Sequence, residues 1–296
     1  MGKFVIENAI ALTITRHAWG NRKAADKDKI QTRADKNMLN LTKKLIDSPE
    51  YQEVTSHLDA TKRQLQKWSM PFAGMNSVLL FKIDMVREVE EYLATRAEEL
   101  KPLVLALVDA LPGQMEAAKE SLGEEQFNAV DYPTGEELKR SFGISKRWVS
   151  YGVPTELPED VYEQEKQRAK KEWDDAAEAV TMGIRAAARE VFEYLIEKLS
   201  PSADGKRKIL PDAGLDKIDE FFTLFRKRNL TNDDELERLI EQAEAVLSNS
   251  FYGIKDLRKD QDERKYVLQA ATQLKATLDG MIIDAPVRKF SLFDEE

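Results

Sequence analysis

Apolar positions along this chain fall mostly at three- and four-residue intervals, the period of helices that bury one face. Over residues 157–201 the pattern predicts a single helix of roughly 40 residues, ~60 Å long at 1.5 Å per residue. Pro158 with Glu159 and Asp160 suits a helix start, Ser200-Pro201 suits its end, and between them only Gly183 interrupts the run. Within it, Trp173, Ala177, Val180, Ile184, Ala187 and Val191 alternate spacings of four and three, the seam of a coiled coil. The spacing relaxes to fours at Leu195 and Leu199. A rod of this length must lay its seam against another helix. An internal hairpin is preferred to a homodimeric coiled coil, because neighbouring helices usually pack within one chain.

The same period predicts helices over 29–46 (Ile30, Ala34, Met38, Leu41, Leu45), 49–68, 77–100 (Leu80, Ile83, Val86, Val89, Leu93) and 102–111, the last continuing toward Leu122. Further helices are predicted over 211–228, from a Thr231-Asn232-Asp233-Asp234 capping box to Leu247, and over about 256–279. Residues 69–74 read as a turn and 202–208 as a polar loop. Two stretches alternate instead. Ile10, Leu12, Ile14 and Arg16 point one way within 8–19, and 141–153 carries Phe142, Ile144, Trp148 and Tyr151. These two are expected to pair. The expectation is a mainly α protein: an elongated helical bundle with a long coiled-coil-like hairpin and a small two-stranded β-sheet. An N-terminal helical unit with that sheet would occupy 1–153, the long helix and C-terminal helices 154–280, and an extended tail 281–296.

Composition narrows the chemistry. A third of the 296 residues are charged, the net charge is −9, and glycine and proline are sparse. Cysteine is absent, so no disulfide framework, thiolate nucleophile or cysteine metal site is expected, in keeping with a reducing compartment. Glu7, Asn8 and Arg16 break the first apolar run, so no signal peptide is expected, and the apolar run 102–108 is far too short to cross a bilayer. A cytoplasmic location with no membrane contact follows. His17 and His57 are the only histidines and lack any H-x-x-x-H pairing or triad partner; phosphate-binding glycine loops and serine elbows are also missing. Carboxylate runs such as Glu88, Glu90 and Glu91 read as solvated faces. No enzyme, metal or cofactor is expected.

Charge is uneven. Residues 16–44 carry a net charge of +6 and residues 87–137 a net charge of −9. Arg16, Arg22, Lys23, Lys27 and Arg33 are therefore candidate phosphate-binding residues, although interleaved aspartates weaken a nucleic-acid reading. The end of the sequence places Phe290, Leu292 and Phe293 among polar residues, the look of a docking peptide. Ser291-Leu292-Phe293 resembles the last three positions of the bacterial sliding-clamp motif Gln-Leu-Ser-Leu-Phe; Lys289 and Phe290 replace its first two.

Three stretches together carry a resemblance: Trp19-Gly20-Asn21-Arg22-Lys23 after the first strand, 152–173 with Gly152-Val153-Pro154 and Trp173, and Phe221-Phe222-Thr223-Leu224-Phe225 with 228–233. They resemble an uncharacterised family, a domain of unknown function, found in bacteriophages and prophages. Relatives lying beside genes for ring-forming ATPases and adhesion-type metal-binding domains would imply a helper or adaptor, and the resemblance carries no catalytic residues over. The functional expectation is a non-enzymatic, phage-derived interaction or scaffold protein that self-associates or binds a host or viral protein. The alternative is a nucleic-acid or replication accessory factor using the basic segment and the clamp-like tail.

Overall fold

The computed structural model describes residues 9–72, 75–149, 157–202, 207–248 and 261–282. The fold is mainly α. In chain order the elements are β1 (Ala9–His17), β2 (Arg22–Ala24), β3 (Thr42–Lys44), α1 (Pro49–Trp68), β4 (Met70–Phe72), β5 (Met75–Lys82), α2 (Val86–Gln126), α3 (Gly135–Ser141), β6 (Gly143–Val149), α4 (Glu159–Leu199), α5 (Asp212–Arg228), α6 (Asp234–Ser248) and α7 (Gln261–Met281). None of the helices among the described residues is long and apolar enough to cross a membrane.

The two alternating stretches become β1 and β6 and are neighbours, as expected, but the sheet has four strands in the order β4-β5-β1-β6. The two extra strands lie where a turn and a helix were expected. Val78, Leu79, Leu80 and Phe81 of β5 are all buried, so both faces of this strand are covered. A strand covered on both faces loses its alternation and reads like a stretch of helix. Met70 and Pro71 of β4 pair antiparallel with Leu80 and Leu79.

The predicted helix over 29–46 is also absent. Instead β2 and β3 form a separate antiparallel pair, with short 3₁₀ turns at Lys27–Lys29 and Lys36–Met38 between them. The apolar period there was coincidental: Met38 is 84% exposed, whereas Leu45 and Ile46 are buried. Asn21 holds this segment by its side chain, accepting from the Ile46 N–H at 2.7 Å and donating to the Ile46 carbonyl at 2.6 Å.

Contacts divide the chain into two compact units that do not follow contiguous sequence blocks. Unit 1 comprises Met1–Leu12, Lys67–Met85 and Val149–Glu296; unit 2 comprises Thr13–Gln66 and Val86–Trp148. In unit 1, α7 and α5 pack on α4. The seam residues Ala177, Val180, Ile184, Ala187 and Val191 are buried there. Trp173 is half-buried and meets the Phe72 ring edge-on at 5.1 Å. No residue of α4 before Ala176 is buried, so burial is confined to its C-terminal part.

A buried ion pair organises the same core. Arg185 of α4 grips Asp233 with two parallel bonds, Nε to Oδ2 at 2.7 Å and Nη2 to Oδ1 at 2.9 Å, and donates from Nη1 to the Met281 carbonyl. Asp233 is also the cap of α6, accepting from the Leu236 N–H at 3.2 Å. The expected cap, Thr231, instead shares a hydrogen bond with Thr181 at 2.9 Å. Asn232, between them, takes φ 49°, a left-handed conformation that asparagine tolerates.

In unit 2, α1, α2 and α3 enclose a second core that includes Leu45, Ile46, Val54, Leu58, Leu107 and Leu138. Helix α2 runs through Pro102 and Pro112, and its regular path breaks at Gly123 (φ 68°, ψ 170°). Helix α3 opens with a capping box: Glu137 N–H donates to Thr134 Oγ1 at 3.2 Å, and the Thr134 N–H donates back to the Glu137 carboxylate at 2.7 Å.

Candidate functional site

Among the concave features of unit 2 is an apolar cavity of about 700 Å³ bordered by α1, α2, α3 and β6. Its floor follows from helical spacing. Leu93, Ala97, Leu100 and Val104 repeat at four, three and four residues along α2, so they share one face; Leu58 of α1, Phe142 and Ile144 complete the apolar lining. At the rim Leu105 is 49% exposed, an aliphatic side chain left half in water beside an apolar hollow.

Polar groups fix the walls. Arg96 Nε donates to Thr61 Oγ1 at 3.0 Å and Nη2 donates to the His57 carbonyl at 3.2 Å. In return His57 Nε2 donates to the Arg96 carbonyl at 2.9 Å, which places the ring proton on Nε2. These reciprocal bonds lock α1 to α2. Across the cavity, Glu90 of α2 accepts from Lys146 Nζ and, at 2.8 Å, from Trp148 Nε1, both on β6. The Lys146 hydrogen bond, then that of Trp148, holds the Glu90 carboxyl below the usual glutamate range.

Charge around the opening is lopsided. Arg96, Lys101, Lys139 and Lys146 line it against the single carboxylate Glu90. Outside the cavity, Arg96, Lys101 and Lys139 pair with Glu99, Glu98 and Glu136, each three residues away on the same helix. Exposed pairs of this kind are weak and can be exchanged for an incoming carboxylate.

The candidate phosphate-binding residues fall on different elements of unit 2. Arg16 of β1 pairs with Asp59 at 2.9 Å. Arg22 and Lys23 lie on β2 opposite Lys44 and Lys43 of β3. Lys27 is in a 3₁₀ turn, Arg33 is on the exposed connection that follows, and neither has an ion-pair partner among the described residues. Phe290, Leu292 and Phe293 lie outside the described residues. Among the described residues, no three His, Asp or Glu side chains gather as a metal site would require.

Sequence reading missed Glu90, Arg96, Leu105, Lys146 and Trp148. A signal was present in the shared strand face of Ile144, Lys146 and Trp148, which alternates apolar and basic residues. No protein-family model, curated protein or solved structure matches this chain.

Proposed function

We propose that this chain is a non-enzymatic interaction protein of phage or prophage type, acting in the host cytoplasm by self-association or by binding a host or viral protein. The observation that carries this reading is the apolar cavity of unit 2, rimmed by cations and by half-exposed Leu105. Its volume suits a few inserted side chains, and its polar groups are engaged in holding walls together. Glu90 is kept ionised by two donors, which fits binding better than proton transfer at neutral pH. No cofactor or metal enters this reading. A long coiled-coil hairpin built on α4 belongs to it too, with the seam Trp173 to Val191 turned inward. Light scattering over a range of concentrations tests it: growth of mass with concentration, reduced by Leu105→Glu, is the expected result. A chain that stays monomeric and cross-links to nothing during phage infection would remove the support.

The second reading, a nucleic-acid or replication accessory factor, is favoured by one detail. The β2–β3 register sets Arg22 opposite Lys44 and Lys23 opposite Lys43. Like charges directly opposed are unfavourable, so an arriving phosphate would relieve them. Lys43 is already paired with Asp131 at 2.7 Å and Lys44 with Asp47 at 2.5 Å, which reduces that pull. Salt-dependent DNA binding that disappears in Arg22→Glu/Lys23→Glu would favour this alternative.

A further inference from the structure

We infer that the unit 2 cavity is the receptor for residues 290–296 of a second copy of this chain, which adds as an extended strand along β6. The inference rests on the self-association arm of the reading above.

Three features of the molecule converge on this occupant. The first is backbone valence. β6 is the last strand in the order β4-β5-β1-β6, so one edge of it pairs with no described strand. β6 also forms a wall of the cavity through Gly143, Ile144 and Lys146. A strand at the end of its sheet, with Ile144 and Lys146 of one face lining an apolar hollow walled by a helix, suits strand addition: main-chain hydrogen bonds supply affinity, and pockets take alternate side chains. The second is length and side-chain order. β6 spans seven residues, and residues 290–296 are also seven, or ~23 Å when extended. Phe290 and Leu292 are two apart, so in an extended chain they share a face and can enter the hollow together. The third is charge. Residues 290–296 contain Asp294, Glu295 and Glu296 and no cation, while the cavity lining holds four cations, three of them in pairs with Glu98, Glu99 and Glu136 outside the lining that an incoming carboxylate would displace. In a protein of net charge −9, an apolar hollow with a cationic rim selects an acidic, aromatic segment over the rest of the surface.

The plainer account of β6 is that Lys146 and Arg147 shield an open edge against aggregation. That account explains the charges but not the apolar lining or the half-exposed Leu105.

The test is fluorescence anisotropy with a labelled, C-terminally amidated peptide of residues 286–296 added to two full-length proteins. One is the natural chain and the other carries Phe290→Ser/Leu292→Ser/Phe293→Ser, which removes the competing segment. The peptide is expected to bind the substituted chain at least as tightly as the natural one, and more weakly as salt rises. Leu105→Glu, a change at an exposed rim position, is expected to weaken binding ~10-fold or more. Methylating alternate backbone nitrogens of the peptide should remove binding, because strand addition needs their N–H groups. Saturable binding that ignores Leu105→Glu, or that survives backbone methylation, overturns the inference. Light scattering separates this outcome from the broader reading. Self-association that persists unchanged in the Phe290/Leu292/Phe293 variant sinks the strand-addition inference and leaves the interaction reading standing. A chain that remains monomeric sinks the second copy as occupant and the self-association arm with it.

Discussion

At the scale of single residues, unit 1 depends on groups whose loss has calculable consequences. The Arg185–Asp233 pair is buried on both sides, with side-chain exposures of 6% and 4%. Removing one partner strands a charge in the core. Asp233→Ala is expected to cost about 3–5 kcal/mol in urea unfolding, and Arg185→Met/Asp233→Leu to recover much of that loss. Gly214 in the first turn of α5 is set by proximity: a Cβ there would lie 1.8 Å from the Tyr194 hydroxyl oxygen and 2.5 Å from its ring carbon Cζ. Gly214→Ala should cost about 1–3 kcal/mol by the same measurement, with the Tyr194 ring displaced in a crystal structure of the variant. Neither constraint shows in the sequence. Arg185 sits in a run of ordinary helical spacing, and Asp233 reads as one acidic residue among several in a capping motif; only the fold brings them within 3 Å.

At the scale of elements, legibility tracked how each segment meets water. Helices with one wet face announced themselves, so α1, α4 and α5 were readable to within a residue or two. Strand β5, covered on both faces, lost its period and was mistaken for helix. The β2–β3 pair has few buried side chains and is held largely by Asn21 and backbone bonds, which leave no hydrophobic trace. The cavity was hidden for a related reason: its lining comes from elements far apart in sequence, each of which looks ordinary alone. Element ends also carry a pH dependence. Glu137 is held below the usual glutamate range by the Thr134 N–H first and its hydroxyl second, and Glu90 by Lys146 first. For a carboxyl depressed in the folded state, the stabilisation is complete above the unfolded pKa and is lost as pH falls through the lower folded value. Unit 2 should therefore lose stability on acidification from about pH 5 to pH 3. Glu137→Gln should flatten that slope in urea midpoints taken across the range; an unchanged slope would mean the capping box contributes nothing to it.

At the scale of the molecule, the two units draw on interleaved segments. The unit 1 core joins Ala11, Met70, Phe72, Val78 and Leu80 to residues of α4, α5, α6 and α7. A fragment starting at residue 154 keeps every helix of that core and loses its strands, uncovering Trp173 where Phe72 packed. The fragment is expected to keep helical circular dichroism while binding a hydrophobic dye that the full chain excludes. A sequence read in contiguous blocks cannot anticipate this, because nothing in local composition marks Lys67–Met85 as belonging with partners more than sixty residues later.

The interleaving also bears on synthesis. Every segment of unit 2 has been translated once the ribosome passes Trp148, whereas unit 1 waits for α7. Its early strands, including the fully apolar Val78-Leu79-Leu80-Phe81, wait for α4 and α5, the helices that pack on β4 and β5, through the translation of roughly 150 residues. At 5–20 residues per second that is on the order of ten to thirty seconds, long enough for a chaperone to engage the nascent chain.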